Sequence, residues 1–274
     1  MVEKAHAYKG GGARNARGPQ GNPTRGTTHT QRMRRVDRWL TGTQASLLRH
    51  GPAKVVDLGF GASPVTTVEM FTRLRDLNPD ITVTGLEIEP ARVAEAQPAA
   101  EAGLDFRLGG FEVPVRPDPA VIRAFNVLRQ YREEDVADVW TLLTSRLSPG
   151  GILVEGTCDE IGRRACWATV DATGPVSLTL STRLAGLEEP SELAERLPKA
   201  LIHRNVPGER VHDLFTALDA AWARASVVAP FGLRQRWRAM CMDLVDQGWA
   251  LLDGPHRWRL GELTVAWDQV APLD

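Results

Sequence analysis

A glycine-rich turn that begins with a carboxylate could hold a small polar ligand close to the main chain. Residues 57–61 read Asp-Leu-Gly-Phe-Gly and come at the end of a short apolar run. Glycine lets a turn adopt left-handed conformations and lets a ligand approach the backbone. Ser63 can cap a helix after the turn, and Pro64 can occupy the first position of that helix. The N–H groups at such a helix start attract polar groups of a ligand.

Glu87 provides a second acidic group, at the end of the next apolar run. A carboxylate at this place in an α/β fold can accept hydrogen bonds from both hydroxyls of a ribose. Pro64 stands where a dinucleotide fingerprint requires a third glycine, and Asp57 would repel a pyrophosphate. The pattern therefore favours a cationic ligand with a ribose over NAD. The alternatives are a plain strand–helix turn and an ordinary surface glutamate.

The spacing of apolar residues predicts an open α/β sheet around the glycine turn. Short apolar runs typical of buried strands alternate with segments whose apolar residues recur at helical intervals. The predicted strands are residues 53–58, 81–86, 104–108, 120–125 and 152–156, and the predicted helices are about 28–50, 65–78, 90–98 and 132–147. Because ligands bind at the carboxyl ends of strands in such sheets, the residues after strands one to four should surround one site.

Beyond residue 156 the pattern changes. Residues 166–182 predict a hairpin, two or three helices follow between 190 and 226, and another helix covers about 233–248. Residues 256–260 and 263–267 predict a second hairpin. We therefore expect a doubly wound, mostly parallel seven-stranded sheet with a helical and hairpin insertion after strand five. The expected parts are a flexible basic arm (1–27), a core with an N-terminal helix (28–160), an insertion or lid (161–230), and a C-terminal helix and hairpin that complete the sheet (231–274).

The composition is that of an ordinary globular protein. The 274 residues carry a net charge of -1, with 43% hydrophobic and 24% charged residues. No apolar run is long enough to span a membrane, and the N-terminus lacks the apolar region of a secretory signal. The three cysteines form no metal-binding or disulfide pattern. We expect a cytoplasmic protein without a metal site; its oligomeric state does not follow from the sequence.

The N-terminal residues are strongly basic. Residues 1–38 contain nine lysines and arginines against only Glu3 and Asp37. A basic arm can bind nucleic acid or another polyanion. A solvated, flexible tail is the favoured alternative, because Tyr8 is the only aromatic side chain in the arm that could stack on bases.

The stretch from Val55 to Gly156 resembles the class I S-adenosylmethionine-dependent methyltransferase family, which implies a Rossmann-like fold. Four short motifs occur in the order and spacing of that family. They are residues 56–61 (Val-Asp-Leu-Gly-Phe-Gly), 84–90 (Thr-Gly-Leu-Glu-Ile-Glu-Pro), 122–128 (Ile-Arg-Ala-Phe-Asn-Val-Leu) and 147–154 (Leu-Ser-Pro-Gly-Gly-Ile-Leu-Val). The resemblance covers roughly 100 of the 274 residues.

The resemblance implies S-adenosylmethionine as the cofactor and a role for eight residues. The two glycines of the turn would meet the methionine part, and Glu87 would hold the ribose hydroxyls. Asp57 would orient the turn and interact with the ammonium, directly or through water. The remaining residues would flank the adenine or face cofactor and acceptor. The cofactor-binding residues are Asp57, Gly59, Gly61, Glu87, Ile88, Gly110, Phe111 and Asn126. The acidic residue that the family usually carries after strand three is not evident.

Methyl transfer is an in-line displacement, so an enzyme mainly aligns nucleophile, methyl carbon and sulfur. A base is required only when the acceptor must lose a proton. Tyr131, Asp159 and His203 are the candidates, with Glu155, Glu160 and His212 also beyond strands four and five. Residues 126–129 differ from the Asn/Asp-Pro-Pro-Tyr motif of family members that methylate amino groups of nucleic acids and protein glutamines.

The leading hypothesis is methylation of a small molecule or a saccharide. The insertion is rich in arginine and histidine, which could bind a sugar, phosphate or carboxylate, and residues 196–205 are its densest part. Its mixed charge also suits a solvated helical subdomain. The rival functions are an RNA methyltransferase that uses the basic arm, and a non-catalytic protein that only binds the cofactor. An NAD-dependent oxidoreductase is disfavoured by Pro64.

Overall fold

An eight-stranded sheet forms the centre of the molecule, and helices cover both faces. The computed structural model describes residues 19–24 and 26–273. The strands are β1 (Lys54–Leu58), β2 (Thr82–Glu87), β3 (Leu104–Leu108), β4 (Val121–Phe125), β5 (Ile152–Cys158), β6 (Arg164–Asp171), β7 (Gly174–Thr182) and β8 (Glu262–Ala266). Their order across the sheet is β3-β2-β1-β4-β5-β6-β7-β8. The first five are parallel, and β6, β7 and β8 join antiparallel to their neighbours.

The helices connect the parallel strands and then cluster near the C-terminus. They are α1 (Arg34–Thr43), α2 (Ala45–Leu48), α3 (Val65–Leu77), α4 (Pro90–Ala96), α5 (Val136–Thr144), α6 (Lys199–Ile202), α7 (Arg210–Arg224), α8 (Leu233–Asp246) and α9 (Pro255–Trp258). Short 3₁₀ helices cover Gln97–Ala99, Leu128–Gln130, Glu133–Asp135, Pro190–Arg196, Ala225–Phe231 and Trp267–Gln269. None of the helices in the described ranges is long and apolar enough to cross a bilayer.

Each face of the sheet has its own hydrophobic core, because successive strand residues point to opposite faces. Val55 and Val121 pack with α1 and α3 on one face. Val56 and Ile122 pack with α5, α7 and α8 on the other. The central strands β1, β2, β4 and β5 are buried on both faces, which explains their continuous apolar runs.

The face covered by α1 and α3 also contains a buried ion-pair network. Arg123 on β4 donates from Nε and Nη2 to the carboxylate of Asp57 on β1, at 2.9 and 2.7 Å. Its Nη1 binds Asp37 on α1, which also pairs with Arg73 on α3. Asp57 and Arg123 are adjacent in the strand register. The network ties β1, β4, α1 and α3 together beneath the glycine turn.

The prediction of an open, doubly wound α/β sheet is confirmed, and all five predicted parallel strands are present within two residues of their predicted bounds. The sheet has eight strands rather than seven. The predicted hairpin at 166–182 is confirmed as β6 and β7, but it extends the central sheet instead of belonging to a lid. Its strands are almost fully buried, which a lid hairpin would not be.

The predicted C-terminal hairpin is wrong. Residues 256–258 lie in the short helix α9, and only β8 follows, paired with β7. Gly254 and Pro255 explain the difference, because proline at the first helical position fixes the backbone for a helical turn. The indole of Trp258 then donates to Asp253 at 2.7 Å.

The predicted boundary of the basic arm at residue 27 is also corrected. Residues 1–18 and Arg25 lie outside the described residues. The segment around Gln20, Asn22, Thr24 and Gly26 is bound to the core by backbone hydrogen bonds. The last part of the expected arm is therefore part of the folded domain.

Candidate functional site

A cavity of about 310 Å³ opens at the carboxyl ends of β1, β4 and β5. The glycine turn after β1 forms one wall, and Asn126 and Cys158 after β4 and β5 form another. The N-terminal segment and the helical region 196–199 close the remaining sides. This is the edge at which ligands bind in open α/β sheets, so the site lies where the sequence places it.

The glycine turn has the backbone geometry that only glycine adopts easily. Gly59 and Gly61 have φ angles of 73° and 84°. The N–H of Gly59 donates to the carbonyl of Leu86 at 2.8 Å, which fastens the turn to the end of β2. A Cβ atom on Gly59 would lie 2.8 Å from a methyl group of Val127. The turn therefore has no room for a side chain at this position.

Glu87 is buried and holds the glycine turn directly. One carboxylate oxygen accepts the N–H of Gly61 at 2.9 Å, and the other accepts the N–H of Ile88 at 2.9 Å. Arg92 lies 3.5 Å away as a counter-charge. The oxygen that accepts Ile88 also accepts the N–H of Glu89 at 3.4 Å. Each carboxylate oxygen has two lone pairs, so the oxygen bound to Gly61 retains capacity for a further donor. Glu87 and the glycine turn thus form one hydrogen-bonded unit.

The residues expected around the adenine lie together in a narrow space of about 20 Å³. Ile88, Gly110 and Phe111 line it beside Glu87, and residues 20–24 cover it. The N–H of Phe111 donates to the carbonyl of Gln20 at 2.8 Å. A Cβ atom on Gly110 would lie 1.9 Å from that carbonyl oxygen. The N-terminal segment therefore packs directly against this part of the site.

Asp57 borders the cavity, but its carboxylate does not point freely into it. Both oxygens accept from Arg123, and one also accepts the hydroxyl of Thr67 at 2.6 Å. The reason is strand alternation, which directs the side chain toward α1 and α3. Asp57 thus holds β1 and the turn in place from beneath. The predicted interaction of Asp57 with the cofactor's ammonium, directly or through water, therefore stays a prediction.

Asn126 is bound in a conformation that few residues other than glycine adopt. Its φ angle is 59°, and the side chain bridges to the end of β5. The amide donates to the Cys158 sulfur at 3.3 Å and accepts the Cys158 N–H at 3.1 Å. Left-handed non-glycine residues cluster at functional sites, where the surrounding structure compensates their strain. The structure places Asn126 on the cavity wall.

None of the three predicted bases lines the cavity. Tyr131 lies at the narrow space instead, where its hydroxyl accepts the N–H of Asn22 and its ring packs 5.4 Å from Phe111. The carboxylate of Asp159 accepts three backbone N–H groups, from Ile161, Arg163 and Arg164. Asp159 therefore stabilises the turn between β5 and β6, and it is not available as a base.

His203 lies one step outside the cavity. It is exposed, and its Nε2 is 3.0 Å from the Nζ of Lys199, which borders the cavity and is itself mostly buried. Burial lowers the pKa of Lys199, and the nearby Arg129 lowers it further. Lys199, and not the predicted His203, therefore borders the cavity, and His203 contacts it only through the Lys199 side chain.

The cavity wall is strongly cationic, a feature that the sequence predicted only in part. Arg32, Arg129, Arg196 and Lys199 border it, and Glu160 is the one lining carboxylate that is not bound to Arg123. The backbone N–H of Glu160 lowers its pKa, and Arg196, Arg32 and Arg129 lower it further. The sequence indicates residues 196–205 as rich in hydrogen-bond donors. It gives no sign that Arg32, one of the basic N-terminal residues, lies at the same cavity.

Two of these arginines retain positive charge or donors that the described residues do not fully satisfy. Arg32 donates to the backbone carbonyls of Asp159, Thr27 and Cys158, and no carboxylate of the described residues lies within ion-pair distance. The Nε of Arg196 is buried without a hydrogen-bond partner among the described residues. The wall therefore has donors and charge that an anionic ligand would satisfy.

The described part of the chain contains no group of three or more side chains arranged to bind a metal ion. The three cysteines are buried thiols, and burial raises the pKa of each of them. Buried, protonated thiols are poor nucleophiles and poor metal ligands.

No protein-family model matches the chain, and no curated protein matches it. Among solved structures it is similar to the plantazolicin methyltransferase BamL (15% identity, TM-score 0.37, 47% of this chain and 46% of that one). It is also similar to human N-acetylserotonin methyltransferase (19%, 0.32, 45% and 36%) and to a pericyclic reaction enzyme (16%, 0.33, 44% and 30%). The chain spans less than half the length of each, and the activities in these names belong to those proteins.

Proposed function

We propose that the chain is an S-adenosylmethionine-dependent methyltransferase. The observation that carries this proposal is the unit formed by Glu87 and the glycine turn at the carboxyl ends of β1 and β2. A buried carboxylate with a spare lone pair, next to two glycines that leave the backbone open to a ligand, suits a ribose joined to a cationic group. Pro64 precedes α3 where a pyrophosphate site would need glycine.

The residues of the site fit S-adenosylmethionine in chemistry. Glu87 would accept the ribose hydroxyls, Ile88 and Phe111 would contact the adenine, and the glycine turn would face the methionine part. Residues 20–24 occupy the space beside Phe111, so binding of the adenosine requires this segment to shift. It is held there mainly by backbone hydrogen bonds, which a small displacement can break one by one.

When bound, the cofactor supplies an activated methyl group on a sulfonium. The protein's own task is to align the acceptor atom with that methyl group and to exclude water. Asn126 is rigidly held at the junction of β4 and β5, where it can orient either group. The described residues that border the cavity supply no metal cluster for this task.

The acceptor that we propose is a small molecule, a saccharide included, that bears a carboxylate or a phosphate. Arg32, Arg129 and Arg196 would bind the anionic group, because guanidinium groups pair with such oxyanions through two parallel hydrogen bonds. Lys199, in its neutral amine form, would receive the proton that the acceptor hydroxyl loses, and the ammonium group so formed would donate to the Nε2 of His203.

The first experiment is isothermal titration of the full chain with S-adenosylmethionine, S-adenosylhomocysteine and NAD. Binding of both adenosyl ligands without binding of NAD would support the proposal. A folded protein that binds neither adenosyl ligand would refute it.

Glu87→Ala tests the assignment within the site. We expect binding of S-adenosylmethionine to weaken by about 1–3 kcal/mol, since the ribose hydroxyls lose their acceptor. Glu87→Gln keeps one acceptor oxygen for the turn and should lose less. The control is Glu95→Ala on α4, where the side chain is exposed. Equal affinity of Glu87→Ala and the wild type would remove Glu87 from the cofactor site.

Gly59→Val tests the glycine turn. The added side chain collides with Val127 and forces a left-handed residue to carry a branched side chain, so binding should be lost. Circular dichroism establishes whether the variant folds. A folded variant with unchanged affinity would place the cofactor elsewhere.

The acceptor is tested with radiolabelled S-adenosylmethionine and a panel of carboxylates, sugar phosphates and neutral sugars. We expect transfer to anionic compounds only, and loss of it in Lys199→Met. Lys199→Arg keeps the charge but stays protonated, so it should retain acceptor binding and lose turnover. Cofactor binding without transfer to any compound would favour the non-catalytic alternative.

A further inference from the structure

A second and larger concavity lies beside the cavity, on the other side of the turn between β5 and β6. Its volume is about 710 Å³. Glu160 borders the cavity, and Ile161, the next residue, borders this second concavity. We call it the basic groove, after six exposed arginines that line it. They are Arg34, Arg38, Arg163, Arg183, Arg234 and Arg259.

Five separate segments of the chain bring these arginines together. Arg34 and Arg38 lie one turn apart on α1, and Arg163 precedes β6. Arg183 follows β7, Arg234 lies in the first turn of α8, and Arg259 follows α9. Their convergence is a property of the tertiary fold and does not come from one basic stretch of sequence.

The positive charge of the groove is not neutralised by the protein. Within the described ranges, none of the six guanidinium groups forms an ion pair or donates a hydrogen bond to another residue. The one carboxylate that lines the groove, Glu262, is nearly buried and is paired with Arg257.

The pKa of a seventh arginine, Arg35, is affected by the positive charge of its neighbours in the groove. Arg35 lies behind the exposed ones and donates to Ser181 and to the carbonyl of Leu260. Burial lowers the pKa of Arg35, and its neighbours Arg38 and Arg34 lower it further, against the effect of Glu262. Like charges held this close repel one another unless a ligand with several negative charges binds between them.

The chemistry of the groove favours phosphate groups along a chain. Every exposed cation lining it is an arginine, whose planar guanidinium binds phosphate oxygens in pairs. The side chain of Phe231 lines the groove at 78% exposure, and Ile161 at 52%. Exposed aromatic rings beside a basic groove stack on unpaired bases.

We propose that the basic groove binds single-stranded nucleic acid, with arginines on the phosphates and Phe231 against a base. The concave shape admits a single strand, whereas a duplex presents a convex surface with its bases paired and stacked. Arginine contacts to the backbone are independent of sequence, so we expect binding with little sequence preference. The proposal does not depend on the methyltransferase function.

The test is fluorescence anisotropy of the full chain with labelled oligouridylate and labelled oligodeoxythymidylate across a series of salt concentrations. The variant Arg34→Gln/Arg38→Gln removes two charges from α1, and Arg163→Gln/Arg183→Gln removes two from the segments next to β6 and β7. Each should weaken binding at least tenfold at low salt. The slope of log affinity against log salt should fall by about 1.4, or roughly 0.7 per lost phosphate contact.

The matched control is Arg49→Gln/Arg146→Gln. It removes the same charge near the amino-terminal ends of the strands, away from the groove. Affinity should remain within a factor of two of the wild type, and the slope should not change. Equal losses in the control and the groove variants would mean that only net charge matters, and would overturn the groove as a site.

Phe231→Ala tests the stacking contact, with Leu252→Ala as a control at another exposed apolar side chain. We expect Phe231→Ala to weaken binding of the strand roughly tenfold without changing the salt slope, as loss of one stacked base does. An acidic peptide that displaces the strand at equal charge concentration would instead identify the groove as a protein-binding surface. Equal affinity for the two strands would identify the shared phosphodiester as the feature bound, and a preference for one would show that the sugar or the thymine methyl group is also bound.

The outcome is independent of the cofactor titration. The groove variants should bind S-adenosylmethionine as the wild type does, since their side chains do not border the cavity. If the cofactor binds and the oligonucleotides do not, only the groove proposal fails.

Discussion

The two faces of the central sheet bury charge in opposite ways. On the face covered by α1 and α3, Arg123 lies between Asp57 and Asp37, and every charged oxygen has a donor. On the face covered by α5, Glu155 of β5 is fully buried, and neither of its carboxylate oxygens has a hydrogen-bond partner among the described residues. Both groups lie in central strands of the same sheet.

The difference shows that burial alone does not set the protonation state of a strand carboxylate. A paired carboxylate keeps its charge because its donors replace the water that burial removes. An unpaired one avoids the cost of a buried charge by retaining its proton. Accordingly, burial raises the pKa of Glu155 from 4.5 to about 8, and the Trp140 side chain offsets only part of this rise.

The largest effect on stability should come from removing Arg123, the cation shared by the two buried aspartates on the face covered by α1 and α3. Arg123→Met preserves much of the side-chain volume but leaves Asp57 and Asp37 buried without their shared partner. We expect a loss of about 3–5 kcal/mol in the free energy of unfolding at neutral pH, measured by urea denaturation. Arg49→Met, at an exposed position, is the control. A loss below about 1 kcal/mol would show that the network stabilises little.

On the face covered by α5, removing the buried charged group should stabilise the fold instead of destabilising it, because Glu155 has no partner. Below pH 4.5 Glu155 is protonated in both the folded and the unfolded chain and contributes no difference. Between pH 4.5 and 8 only the unfolded chain loses this proton, so the folded protein loses about 1.4 kcal/mol of stability for each pH unit.

Glu155→Gln removes this titration. It should be close to neutral at pH 5 and should raise the unfolding free energy by on the order of 4 kcal/mol relative to wild type at pH 8. Thermal unfolding at a series of pH values measures the effect, with the exposed Glu188→Gln as the control. A pH-independent difference between Glu155→Gln and wild type would show that Glu155 is ionised in the fold.

The smallest effect on stability should come from removing one hydrogen-bond donor from the ion-pair network of Arg123, Asp57 and Asp37. Thr67→Val removes the hydroxyl that binds Asp57 but leaves both bonds from Arg123. We expect a loss of about 1.5 kcal/mol. Thr72→Val on the same helix removes an exposed hydroxyl that binds only the carbonyl of Val68, so it should change stability little. Equal effects of the two variants would mean that helix propensity, and not the network, explains the loss.

The parallel half of the fold follows from the sequence because its signals are local. Apolar runs and helical spacing predict β1 to β5 and the helices between them. The glycine turn is predictable because the left-handed φ angles at positions 59 and 61 favour glycine over other residue types. The eight predicted cofactor residues all lie at the carboxyl edge of the sheet, although their roles as ligands remain predictions.

The antiparallel half was less predictable. The hairpin of β6 and β7 is visible in the sequence, but its place in the sheet depends on pairing with β5. An alternation of apolar residues at 256–260 resembles a strand, whereas Pro255 makes it a helical turn. Arg123, an isolated charge in an apolar strand, was the available signal for the ion-pair network. Its partner Asp57 appears only when the strand register is known.

Periodicity and glycine conformation are encoded locally, so the α/β class, the five parallel strands and the edge of the sheet at which a ligand can bind are predictable from the sequence alone. Which charges meet depends on the tertiary structure. The fold binds Asp57 to Arg123, brings Arg196 and Lys199 to the cavity, and gathers six arginines from five segments into one groove. Such encounters join residues far apart in the chain, and no local pattern specifies them.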